Sequence, residues 1–142
     1  MTPIETVRVT DDLARGEVRR QRYRSLLLSQ VPRILSAADR NPLSPTFGCL
    51  DRAFWHYRTM TDYAAPIHQE GALSLVLVSQ QEDEDNPYFA SEQLRDVAIA
   101  ALRYWCRLQR SDGSFDEFYP GERSFVATAF TSYAVSEAVR RL

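Results

Sequence analysis

The chain contains no lysine: all 17 of its basic residues are arginine. Mutational GC bias produces that pattern as readily as selection does, so it identifies no function by itself. Arginine does suit bidentate contacts with carboxylate, sulfate or phosphate. A net charge of −2 argues against general nucleic-acid binding. Cysteine is scarce too. Cys49 and Cys106 are the only two, too far apart for the CxxC-type spacing of a zinc site, and no metal is expected. Two reduced thiols are the expectation, with a single disulfide as the alternative. Only His56 and His68 could serve as imidazole proton shuttles.

Long apolar runs are missing. The longest, Ala72 to Val78, is far shorter than a membrane span and is broken by Ser74, so no membrane association is expected. The first residues, Met1-Thr2-Pro3-Ile4-Glu5-Thr6, lack the basic and apolar regions of a signal peptide, which makes a cytoplasmic location the expectation. No phosphate-binding glycine loop, nucleophile elbow or helically spaced metal-ligand pair is present. The common motif-bearing enzyme classes are thereby excluded, and no cofactor is expected.

What remains is one domain's worth of ordinary globular sequence. The 142 residues are enough for a core without covalent staples, and 44% hydrophobic with 25% charged residues is typical of such domains. Residues 1–16 mix Thr, Val, Asp and Gly without clear period and read as a loose lead-in, with a short extended piece over Thr6 to Thr10. Residues 17–142 read as a single helical domain. A helix is expected from Glu17 to Asp39, with Leu26, Leu27, Val31, Ile34, Leu35 and Ala38 on one face and a kink or restart at Pro32. Asn41 to Ala65 is irregular, with one short helical turn over Asp51 to Tyr57.

Three further helices follow. Pro66 opens one that runs to Gln81 and is apolar on nearly every side, so it should be buried. Gln81 to Pro87 reads as a solvated acidic loop. Ser91 is a natural cap for the next helix, whose stripe is Leu94, Val97, Ala98, Ala101, Leu102, Trp105 and Leu108, with Gly113 placed to end it. The last spans Ser124 to Arg141, with Phe125, Val126, Ala129, Phe130, Tyr133, Ala134 and Ala138 on its face. Apolar helices starting at Pro66 and Ser124, about sixty residues apart, bracket an amphipathic one, a spacing suited to repeated helical hairpins.

The connection from Gln109 to Phe125 holds four carboxylates, two arginines and three internal aromatics besides Phe125. Helix–helix turns in bundles usually take roughly 2–8 residues. Asp116, Glu117, Glu122 and Arg123, with Tyr119 beside them, either hold a polar ligand or fasten helix ends together. A second rich segment carries Trp55, His56, Tyr57 and Arg58, followed by Asp62-Tyr63 and by His68 to Glu70. Rings stacked on sugar faces and polar groups reading hydroxyls would use such residues, as would a packed loop plugging the helical array.

Ser44-Pro45-Thr46-Phe47-Gly48-Cys49-Leu50-Asp51-Arg52, Trp55-His56-Tyr57, Gln69-Glu70, Asp112-Gly113-Ser114 and Tyr119-Pro120-Gly121-Glu122-Arg123 together resemble the N-terminal part of heparinase II/III-like proteins. The resemblance runs from about Ser44 to Leu142. It implies an all-α fold of helical hairpins forming an incomplete α/α-toroid, and a carbohydrate-related module of uronic-acid polysaccharide lyases. Gln109, Gly113 and Phe115 bear a looser likeness to terpene-cyclase toroids. Any activity implied would be β-elimination, which needs a base and a neutraliser of the uronate carboxylate. His56, Tyr57, Arg58 and His68 have that chemistry. Trp55, Asp62, Glu70, Asp116, Glu117, Tyr119, Glu122 and Arg123 are the candidate ligand contacts. The implied ligand is an acidic polysaccharide or oligosaccharide, without a complete catalytic site. The alternative is a non-catalytic interaction or scaffold protein with a toroid-like core. Either way, apolar surface around Phe125, Phe130 and Tyr133 should be exposed unless a second copy or companion chain covers it.

Overall fold

A computed structural model describes residues 3–57 and 62–142, with side chains from residue 14 onward. Among the described residues the chain is all-α: four α-helices, a π-helical turn and a 3-10 turn are the named elements, with no strand. The helices are α1 (Pro3–Ala37), α2 (Gly71–Gln80), α3 (Glu92–Leu108) and α4 (Phe125–Arg141). Residues 1–30 and 31–142 form two compact units.

Helix α1 begins at Pro3, so a helix replaces the loose segment and the extended piece expected before Glu17. Proline at a helix start has no amide to waste, and its fixed φ favours the first turn. Pro32 neither ends the helix nor restarts it. Val31 and Ala38 are buried as their spacing predicts, whereas Leu26 is exposed. The carbonyls at the end of α1 are met from outside the helix. Arg52 donates to the Ser36 carbonyl at 3.0 Å, and the Trp55 indole N–H donates to the Ala37 carbonyl at 2.8 Å.

The unit 31–142 is organised on α2, which packs against both α3 and α4. Its Ala72, Leu75, Val76 and Val78 are buried, as an all-round apolar helix requires. The expected helix start at Pro66 is instead a 3-10 turn, Pro66–Glu70, leading directly into α2. Asn86 is buried within the acidic loop and donates to the carbonyls of Val78 and Gln81, satisfying the end of α2. Ser91 caps α3 by accepting from the Leu94 amide at 3.2 Å. Helix α3 ends at Leu108 without help from Gly113, whose positive φ serves a later turn.

Gln69 is fully buried where these pieces meet. Its Oε1 accepts from the Leu50 amide at 2.7 Å, and its Nε2 donates to the carbonyls of Gly48 (3.0 Å) and Ala101 (2.8 Å). One side chain thereby pins the 39–50 loop to α3. Gly48 allows that approach: a Cβ there would lie 2.2 Å from the Ala100 carbonyl oxygen, and its φ is +89°. Asp39, buried beneath the same loop, accepts from the Thr46 hydroxyl at 2.6 Å and the Asn41 amide at 3.1 Å. Burial opposes its charge, but the Ser44 and Thr46 hydroxyls and the Asn41 amide outweigh it and hold the carboxyl below its ordinary value.

Both cysteines are free, Cys49 buried and Cys106 exposed. Burial pushes the Cys49 thiol up to about 11. No helix among the described residues is long and apolar enough to cross a membrane.

Candidate functional site

The connection between α3 and α4 folds through its own charged side chains. Its first turn is closed by Gly113 N–H donating to the Arg110 carbonyl at 2.9 Å and Arg110 N–H donating to the Ser114 carbonyl at 3.0 Å. The Gln109 amide reaches forward to the Gly113 carbonyl at 3.0 Å. Asp112 accepts from both the hydroxyl and the amide of Ser114, and meets Arg123 at 3.2 Å. Phe115 is fully buried, its ring 4.6 Å from that of Trp105, and its amide donates to the Thr128 hydroxyl. A single antiparallel bridge, Phe115 to Ser124, draws the two ends of the connection together.

Three carboxylates serve the loop inside that bridge. Asp116 accepts from the amides of Gly121 (2.9 Å) and Arg123 (3.0 Å) and from the Arg110 guanidinium (2.8 Å). Those amides, with Arg110 in support, hold its carboxyl below the usual range. Glu122 accepts from the amides of Glu117 and Phe118 at 3.0 and 2.8 Å. Glu117 accepts from the Ser124 hydroxyl at 2.9 Å, while that hydroxyl accepts from the Ala127 amide as the cap of α4. Arg123 has a φ of +54°, a conformation unusual for a residue with a Cβ, held here by its amide bond to Asp116 and its guanidinium bond to Asp112.

Beside this loop lies a cleft of about 340 Å³ lined by Asp62, Tyr63, Pro66, Arg110, Asp116 and Pro120 among others. The Tyr63 hydroxyl is buried with no hydrogen-bond partner. Burial, reinforced by the charges of Glu122, Asp116 and Glu117, pushes its pKa up. Glu70 has one carboxylate oxygen that is likewise buried and unpartnered. Burial and the nearby Glu117 charge raise its pKa. A ligand carboxylate entering here would find unused donors on Arg110, whose Nη1 alone binds Asp116, and would reach the Tyr63 hydroxyl only by uncovering it, since that atom is closed to solvent.

The residues singled out in the sequence therefore fall into two groups. Asp62, Asp116, Glu117, Glu122 and Arg123 belong to the cleft and its loop, and Glu70 feels Glu117. Tyr119 is exposed, its carbonyl accepting from Glu122. Trp55, His56 and Tyr57 form a separate aromatic row on the π-helical turn Ala53–Tyr57. The His56 ring stands edge-on to Trp55 at 5.2 Å and to Tyr57 at 4.8 Å, and the Arg52 guanidinium lies 5.7 Å from the Tyr57 ring centre. Trp55 packs inward on Cys49, Ala64 and Tyr104. His68 is exposed, with Nε2 3.9 Å from Asp51. Arg58 lies outside the described residues. Among the described residues, no hydrogen bond or ion pair links His56 or Tyr57 to the 109–125 connection, and no group of three His, Cys, Asp or Glu side chains gathers as a metal site.

The sequence places Tyr63 in the second rich segment, next to Asp62, but not among the candidate ligand contacts; in the structure its hydroxyl is buried without a partner. Its position beside Asp62 and one turn before Pro66 was the available signal. No protein-family model, curated protein or solved structure matches the chain.

Proposed function

We propose that the chain is a carbohydrate-related helical module that binds an acidic oligosaccharide without cleaving it. The fold reading beneath this is an incomplete α/α-toroid, supported by α2 packing on both α3 and α4 as an inner helix of repeated hairpins would. The observation that carries the binding reading is a cleft lined by Arg110 and by Tyr63, whose hydroxyl is buried without a partner. A buried phenol without a partner costs about 1–3 kcal/mol, which a ligand oxygen would recover. The same geometry argues against catalysis in this cleft. Asp116 gives both carboxylate oxygens, and Glu117 and Glu122 one each, to donors within their own connection, so a base role there would compete with the bonds that fold the loop.

The test is calorimetric titration of the chain with uronate oligosaccharides, alongside ultraviolet detection of unsaturated product. Binding that weakens about tenfold or more in Tyr63→Phe, with no product, is the expected result. Binding untouched by that change, or no binding across a panel of uronate polymers, removes the reading. A non-catalytic interaction or scaffold protein is the second reading. It is favoured by the exposed rings on α4, with Phe125 83%, Phe130 62% and Tyr133 72% accessible.

A further inference from the structure

Helix α4 is covered on one side only. Ala127, Thr131, Ala134, Val135 and Ala138 are buried, and the helix packs on α2 and on the Pro66–Glu70 turn. Its other side presents Phe125, Val126, Ala129, Phe130, Tyr133 and Val139, all exposed. At roughly 200 Å² per ring, the three aromatics alone leave on the order of 400 Å² of apolar-rich surface bare. That lies within the range of the largest patches on monomers, which are commonly functional.

We infer that this face docks a second copy of the chain, α4 against α4 in an antiparallel, two-fold arrangement. Charge argues for the direction. The connection before α4 holds Asp112, Asp116, Glu117 and Glu122 against Arg110 and Arg123, a net −2. The last turns of α4 hold Arg140 and Arg141 against Glu137, a net +1. Antiparallel pairing brings the acidic end of each helix to the basic end of the other, whereas parallel pairing sets like against like. The stripe between those ends carries no charged residue from Phe125 to Ser136. It alternates large rings with the small Ala129 and Ser136, so each copy offers both knobs and holes, as a self-complementary two-fold interface requires. The area is below that of a standard interface, about 800 Å² per partner, so the dimer is a weak one in the micromolar range.

The dimer is independent of the sugar-binding reading: loss of oligosaccharide binding would leave it standing, and the reverse. Light scattering with chromatography on the full chain should show concentration-dependent conversion from monomer to dimer. Tyr133→Glu and, separately, Phe130→Glu should weaken the dimer at least tenfold while circular dichroism stays unchanged, since both positions are exposed. Orientation is read in a Cys106→Ser background by oxidation. Val126→Cys and Val139→Cys chains should cross-link to each other when mixed and not to themselves. A monomer throughout, a polydisperse aggregate, a dimer indifferent to both glutamates, or self-cross-linking of Val126→Cys would each overturn the inference.

Discussion

Replacing Gln69 with leucine is the severest informative change to the fold that alters no backbone. The two side chains are close in size, so the substitution removes polarity with little cavity. Three hydrogen bonds disappear, to the Leu50 amide and to the carbonyls of Gly48 and Ala101. Their costs differ. Ala101 lies within α3 and keeps its helical bond, so losing the second partner matters little. The Leu50 amide, on a buried residue, loses its acceptor outright, and the Gly48 carbonyl loses a donor in a buried loop. At about 1–3 kcal/mol for each buried group left unsatisfied, the loss comes to about 3 kcal/mol. For a domain stabilised by about 5–15 kcal/mol that is a large fraction.

Urea unfolding followed by circular dichroism should show the midpoint falling with an unchanged slope, and Tm should drop by about 10 °C. Gln69→Glu should be at least as harmful, because it keeps an acceptor for Leu50 but turns a carboxylate oxygen toward two carbonyls. A loss under about 1 kcal/mol for Gln69→Leu would refute the reasoning, showing that the 39–50 loop is not held to α3 by this side chain.

Two further changes test the elements that frame the cleft. Gly48→Ala should destabilise by more than Gln69→Leu or prevent folding, because its Cβ would meet backbone oxygen at 2.2 Å and its φ is positive; expression and thermal melting decide this. Asp116→Asn should destabilise the chain at neutral pH, with a gap to wild type that closes in acid. The folded carboxyl sits below its ordinary 3.8, so its contribution is present above that value and is lost as pH falls through the folded one. Unfolding curves from pH 7 down to about 2 measure the gap, and a gap independent of pH would refute the assignment.

The helices were legible because they rest on local chemistry. Ser91 caps α3 where an N-cap residue before an apolar stripe predicts, and Ser124, expected as the first residue of the last helix, is instead the cap of α4. The all-round apolarity of α2 foretold its burial. The start of α1 was not legible, since residues 3–16 carry no amphipathic period and only the assembled helix displays their state. Gly113 misled for a different reason. A glycine shortly after a helical stripe looks like a C-cap, but here α3 ends five residues earlier, and Gly113 turns the chain back so that Phe115 can enter the core. Trp55 and Arg52 were chemically conspicuous, yet each donates to a carbonyl at the end of α1, a long-range role that spacing cannot reveal.

The same limit explains the connection between α3 and α4. A carboxylate that accepts from its own loop's amides and one that waits for a ligand are the same letter in the sequence. Distance separates them: Asp116 and Glu122 each accept from two amides within a few residues, geometry that an unfilled ligand site would leave vacant. What the loop offers a ligand is therefore its enclosure, and not its acids. By fixing Pro120 and Asp116 at one wall of the cleft, these carboxylates preserve an opening also lined by Tyr63, whose buried hydroxyl has no partner. Chemistry spent on building a wall is not available inside it, so the cleft's working groups are to be sought among residues the loop does not consume.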